Sequence, residues 1–417
     1  MAHVTTGRYN GNMLAFRSDS RSPENSWSPG GNTDDMRKPT ALVFLAVLAF
    51  ACVAGCGTSA ERSDKQTSVA PRTGEMVISP QFSVADSFTE GLAAVRIGDD
   101  KTGKWGYIDK QGHYVVNPQF DWAEPFSEGL AAVRIGDDKT GKTGFIDKQG
   151  SYAVRAQFGW AGSFSEGLAM VWVGDRETGN IGYIDKQGHF VINPRFGSDG
   201  AGWFSESVAQ VWDSEAKKWG YIDKQGGYVI NPQFDYAWKF KNGLASVGIG
   251  PYGTRRYGWV DKQGHYVISP QFDSTADQFS EGLARVRIGD DRTGKWGYVD
   301  MQGKLVINPQ FGYAMDFSEG LAKVLVGDKW GYVDRQGMFV ISPQFGFPNS
   351  IIDDARFHDG LAAARVGDGA VGKWGFIDKQ GKFAVSPKFD WALPFSEGLA
   401  AVHIGDDETG KWGYIAR

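Results

Sequence analysis

The sequence predicts an all-β protein built as tandem three-stranded antiparallel meanders, about nine of them, closed into a propeller-like toroid. Three observations carry this reading. The 417 residues include 57 glycines without a collagen-like period, which calls for many tight turns. From Met76 onward one passage recurs, close to "KWGYIDKQGHYVVNPQFDWAEPFSEGLAAVRIGDDKTG". The array also enters and leaves this passage in complementary phases.

The first 35 residues are polar and aperiodic, and Met36 then opens "MRKPTALVFLAVLAFACVAGCG". Arg37 and Lys38 form a positive n-region and Ala41 to Cys52 an apolar run of twelve residues, shorter than the roughly 20 needed to span a bilayer. Val53-Ala54-Gly55-Cys56 resembles the lipobox of bacterial lipoproteins, in which the cysteine is lipidated and becomes the new N-terminus. The resemblance implies a membrane anchor through Cys56 and a place in the bacterial cell envelope, facing the periplasm or the cell surface. The expected organisation is an extension over 1–35 ahead of a start at Met36, a signal peptide over 36–55, a lipid-anchored flexible tether over 56–75, and the repeat domain over 76–417. Both cysteines, Cys52 and Cys56, lie ahead of the repeat domain, so the body is expected to lack disulfides, Cys-based zinc sites and thiol nucleophiles. A net charge of −5 does not fit a nucleic-acid partner.

Within the repeat, the glycine after the tryptophan position falls at Gly106, Gly144, Gly182, Gly220, Gly258, Gly297, Gly331, Gly375 and Gly413, at intervals of 34 to 44 residues. Each unit carries three strand-like runs. "GLAAVRIG" leads through the loop "DDKTGK" to "WGYID", and the turn "KQG" leads to "HYVVNP". The turn suits a type I geometry closed by a left-handed glycine such as Gly112. Pro118 ends the third run, where a missing N–H does least harm. The segment "QFDWAEPFSEG" reads as a connection whose Phe120, Trp122 and Phe126 plug the space between meanders.

These units resemble the WG-repeat, or KWG-repeat, proteins, which are bacterial and often envelope-associated. "KWGYIDKQG" stands almost unaltered at 104–112, 218–226 and 373–381, and the resemblance runs over about residues 76–416. It implies a β-repeat body and no general catalytic activity.

The array begins at a third strand, "MVISP" (76–80), and ends at a central strand, "KWGYIAR" (411–417). A ring in which these two pair resolves both deficits, whereas an open β-superhelix leaves both edges unpaired. Closure is therefore expected.

The chemistry-bearing motifs read mostly as scaffold. "GDDKTGKT" (136–143) matches the phosphate-cradling pattern G-x-x-x-x-G-K-[ST], but no helix follows it and sister loops read "GDDKTGKW", "GDDRTGKW" and "GDDETGKW", so no nucleotide is expected. His113, His189 and His265 share one turn-flanking place that elsewhere holds Ser, Gly, Lys or Met, which argues against catalysis or metal binding. The glutamates of "SEG" would form a ring of like charges in a closed toroid; capping of their own loops is the simpler expectation. "GDD" lacks the spacing of a calcium loop. No cofactor, metal or catalytic residue is expected.

Function is expected where units depart from the passage. Three stretches do so: 197–218 with Trp203 and Trp212, 250–260 with Arg255 and Arg256, and 346–360 with Asp353, Asp354 and His358. The expected activity is a non-catalytic binding or scaffold role toward a protein or a cell-envelope glycan. The alternative is an envelope carbohydrate hydrolase using acids of an atypical repeat.

Overall fold

Each repeat unit folds as one small antiparallel sheet, and nine such sheets form a nine-bladed β-propeller. The computed structural model describes residues 70–417 apart from 100, 138, 175–178, 198–199, 347–355, 368–371 and 407. The leader, Cys56 and the tether as far as residue 69 lie outside the described residues.

In blade 1 the strands are Val84–Ala85, Ala93–Ile97, Lys104–Ile108 and Tyr114–Phe120, hydrogen-bonded in that order. Blades 2 to 9 follow in chain order and are identified by the glycine of their third strand, Gly144 to Gly413. The three meander strands are those expected, but a fourth strand is added to them. The segment read as a connecting plug supplies two residues, such as Trp122–Ala123, that pair with Arg134 and Val133. Seven sheets have this short strand; among the described residues blades 4 and 8 have three strands, and Ala201 of blade 4 keeps a single bridge to Val211. A two-residue strand has no periodicity to read, so crowding against the next strand decides it. The plug role holds too. Phe126 is buried with its ring 4.8 Å from that of Tyr107 in the preceding blade, and Phe88, Phe204, Phe240 and Phe317 repeat the contact.

The glycine of the third strand is demanded by close approach. In blade 1, Trp105 pairs with Phe120 while Tyr107 pairs with Val116, so the outer strand spends two extra residues crossing Gly106. A Cβ on Gly106 would lie 2.5 Å from the Val116 carbonyl oxygen and 2.7 Å from the Pro118 nitrogen. The same clash recurs at all nine glycines. At Gly413 the obstructing atoms belong to Ile78 and Pro80, from the other end of the chain.

That contact is part of the closure. Met76–Phe82 joins blade 9 as its outer strand, antiparallel to Lys411–Ala416, with Met76 opposite Ile415, Ile78 opposite Tyr414 and Phe82 opposite Trp412. The seam carries its own apolar cluster, in which Ile78, Trp412 and Tyr414 meet Phe88 and Val95 of blade 1. The ring is closed, and the open superhelix is excluded.

Thr143 stands fully buried in the tryptophan place of blade 2, paired with Arg134 and Phe158, and its hydroxyl has no partner. Lys142 opens the strand Lys142–Asp147 instead of a helix.

Gly297→Ala is expected to lower stability by on the order of 3 kcal/mol, since its Cβ would lie 2.4 Å from the Ile307 carbonyl oxygen. Gly197→Ala, which meets open space, should stay within about 0.5 kcal/mol. Urea unfolding of the two variants beside the parent measures the difference.

Candidate binding surfaces

Most polar side chains of the repeat are occupied in holding the ring. In the "SEG" loops the glutamate takes a left-handed backbone, with φ between 51° and 54° in seven blades. This conformation turns its carboxylate onto the next blade instead of its own loop. Glu90 accepts from the Gly129 N–H at 3.0 Å, Glu128 from Gly167 at 3.0 Å, and Glu397 carries the pattern across the closure to Gly91 at 3.1 Å. The serine beside it donates to the plug carbonyl of the next blade, as Ser127 does to Phe164 at 2.8 Å and Ser396 to Phe88 at 2.7 Å. A lysine of the next "DKQG" turn then bridges back: Lys148 Nζ reaches the Glu90 carbonyl at 2.8 Å and its carboxylate at 3.1 Å. Burial would raise the Glu90 pKa, but Lys148 and the Gly129 N–H outweigh it and hold the carboxyl below its ordinary value. The ring of acids is thus a ring of alternating charge.

The other repeated motifs are likewise engaged. Asp109 accepts from the Gln111 and His113 N–H groups, and Gly112 closes that turn at φ 85°. His113, His189 and His265 stand at its exposed flank. In "GDDKTGKT", Gly136 and Gly141 face one another so closely that a Cβ on Gly136 would lie 2.8 Å from the Gly141 Cα. The N–H groups of Lys139 and Thr140 already bond the Asp137 carboxylate, at 2.8 and 2.7 Å, so the donors a phosphate would need are spent. Among the described residues no group of three or more His, Cys, Asp or Glu is placed to hold a metal ion.

The atypical stretches divide. Arg256 replaces the lysine of "KWG" and bonds Asp273 at 2.5 Å, as Lys104 bonds Asp121. Arg255 lays its stem over Gly248, bonds the Gly250 carbonyl at 3.1 Å and stacks on Tyr236, filling from a distance the place where other blades carry Arg96 or Arg287. With Arg255 folded over Gly248 and Arg256 exposed but paired with Asp273, the loop tip presents Tyr252, 80% exposed. Trp203 and Trp212 are partly exposed in blade 4. Trp203 lies over Gly162 of blade 3, and Trp212 meets Trp219 edge to face at 5.7 Å. His358 holds the serine place of a rim loop. Asp353 and Asp354 lie outside the described residues.

Two groups escaped sequence reasoning. Asp86 and Glu124 occupy equivalent places just after the short strands of blades 1 and 2, half-buried and close enough to feel each other. Burial, and then the charge of Glu124, raises Asp86 to about 7; burial alone raises Glu124 to about 7. Between blades 5, 6 and 7, Tyr236 donates to Asp277 at 3.0 Å, and Arg285 bonds Asp316 at 3.1 Å and the Tyr313 hydroxyl at 3.2 Å. The signal lay in one variable place of "DWAEPFSEG", which reads Asp86, Glu124, Gly162, Gly202, Trp238, Asp277 and Met315 in successive blades.

The family model for the WG containing repeat matches nine times, over residues 72–101, 105–139, 144–175, 181–211, 219–250, 257–290, 296–330, 330–369 and 374–412. The chain belongs to the WG-containing repeat family. Comparison with curated proteins finds none that match. Among solved structures the chain is similar to a prolyl endopeptidase (TM-score 0.38, 11% identity, 72% of this chain and 55% of that one). It is also similar to the β-propeller domain of the Trilobed protease from Pyrococcus furiosus (0.37, 11%, 62% and 93%) and to an acylaminoacyl peptidase of Pyrococcus horikoshii (0.37, 12%, 73% and 57%).

In this WG-repeat propeller the repeated polar groups are therefore scaffold, and chemical variety is confined to the departures. The Asp86–Glu124 pair has a defined linkage sign. A carboxyl raised in the folded state leaves stability whole only below its ordinary pKa, 3.8 for Asp86 and 4.5 for Glu124, and stability is lost from there as pH rises through about 7. Glu124→Gln should raise the melting temperature clearly at pH 8 and much less at pH 5; an equal shift at both values would contradict the pairing.

Proposed function

We propose that the protein is a non-catalytic binding or scaffold module of the bacterial cell envelope, anchored to the membrane by lipid on Cys56 and facing the periplasm or the cell surface. Its ligand is a protein or a cell-envelope glycan. One observation carries this reading: the repeated Glu, Ser, Lys and Asp side chains are consumed in contacts between and within blades. What remains for recognition is the set of unmatched groups, chiefly Trp203 and Trp212 in blade 4 and the projecting Tyr252. Partly exposed tryptophan and tyrosine are the side chains that anchor protein interfaces, and their faces offer stacking area to sugars.

A second reading, hydrolysis of envelope carbohydrate, draws on the neighbouring carboxylates of Asp86 and Glu124. A carboxyl that holds its proton near pH 7 is what a general acid requires.

Capture from envelope extract on the purified protein, together with incubation on cell-wall glycan scored for retention and for cleavage, separates the two. Binding without cleavage, weakened at least fivefold by Trp203→Ala or Trp212→Ala, is the expected result. Cleavage that disappears in Glu124→Gln would establish the hydrolase instead.

A further inference from the structure

The rim does not hold equally all the way round. In seven of its nine loops a glutamate accepts from a backbone N–H of the following blade, but at two seams this link is missing. Between blades 5 and 6, Asn242 replaces the glutamate, Lys241 the serine and Met301 the bridging lysine. The Gly282 N–H has no acceptor among the described residues, and Met301 packs against the apolar cluster of Leu244 and Trp259. One rim bond remains, from Asn242 Nδ2 to the Phe279 carbonyl at 3.3 Å. Between blades 8 and 9, Asp359 stands in the glutamate's place, one methylene shorter, and the Gly398 N–H likewise has no acceptor among the described residues. Arg417 holds the lysine's place there and lies against Gly360.

The arc between these seams is tightly joined. Glu281 accepts from Gly320 and Glu319 from Gly360, both at 3.0 Å, and Ser280 and Ser318 donate to Phe317 and Phe357. Arg285 adds a crossing from blade 6 to Asp316 and Tyr313 of blade 7. At the 5–6 seam the surviving polar contacts have moved off the rim: Tyr236 to Asp277 and Ser246 to Thr275, each at 3.0 Å. Thr275 there replaces an alanine of other blades.

We propose that blades 6 to 8 form a three-blade lobe that moves as one body against the other six, opening along the rim at the 5–6 and 8–9 seams. At the 5–6 seam the Tyr236–Asp277 and Ser246–Thr275 contacts act as the hinge. Local opening is expected where few bonds cross a boundary, and motion is rigid on either side where many do.

Amide hydrogen exchange on the full chain tests the seams. Gly282 and Gly398 should exchange at least tenfold faster than Gly320 and Gly360. Asp359→Glu should slow Gly398 at least fivefold without slowing Gly282, and the double variant Asn242→Glu/Met301→Lys should do the reverse. Spin labels on the exposed turn residues Gln263, Gln302 and Gln336, in a chain with Cys52 and Cys56 changed to serine, test the lobe. The distance distribution from 263 to 302 should be broader than that from 302 to 336. Equal protection of the four glycines, exchange unmoved by the variants, or equal widths would overturn the proposal.

Discussion

The fold depends on one close approach, the passage of each outer strand across the bare Cα of the glycine that follows the tryptophan. Without a Cβ there, the outer strand can add two residues against the third strand, rise over it, and return so that its phenylalanine reaches the tryptophan row. The bulge bends and twists each sheet, and the proline that accompanies it in most blades denies the outermost edge a donor for pairing with a stranger. Small, strongly twisted sheets of this kind have little interior of their own. Their apolar residues are satisfied only by neighbours, which is why each core cluster spans two blades, as when Trp105 and Tyr107 of blade 1 meet Phe126 and Val133 of blade 2.

A unit that buries its core only against neighbours cannot end without a cost, and here the ring removes both ends. The closing strand reproduces the glycine crossing and the apolar cluster of other seams, and the rim contacts recur between the loops of blades 9 and 1. The left-handed glutamates matter for the same reason. A residue other than glycine pays for that backbone with strain, and the return is a charge-assisted bond to the next blade together with a lysine bridge.

Much of this was legible in the residues. Gly106 and its equivalents, the Asp109–Gly112 turn, and the mismatched phases of the two ends each state a local geometric need, and such needs survive folding unchanged. What was not legible depends on which groups meet. The strand Trp122–Ala123 is too short to carry a period. The glutamate ring was readable as a set of acids, yet the lysine that neutralises its glutamate comes from 58 residues away at the 1–2, 2–3 and 3–4 seams, from 56 at the 4–5 seam and from 60 at the 7–8 seam. Asp86 and Glu124 look ordinary in their separate units, and their shared burial exists only once blades 1 and 2 are side by side. Arg255 and Arg256 stood out as a basic pair, and the fold assigns both to places that single arginines or lysines fill elsewhere.

The departures from the repeat come in matched sets, which argues that they are tolerated through physical compensation. Gly248 lacks a side chain, and Arg255 reaches back to cover it. Asn242 gives up a charge at the rim, and Met301 gives up the opposite one on the next blade, so neither seam partner is left with a lone ion near an apolar cluster. Ser246 adds a hydroxyl to a buried place and Thr275 one to a partly buried place, and the two bond one another. Thr143 has no such counterpart: its hydroxyl is buried alone where blade 1 and most other blades place a tryptophan. A ring of nearly identical units carries most of its chemical variety in this paired form, because an unpaired change is felt by two blades at once.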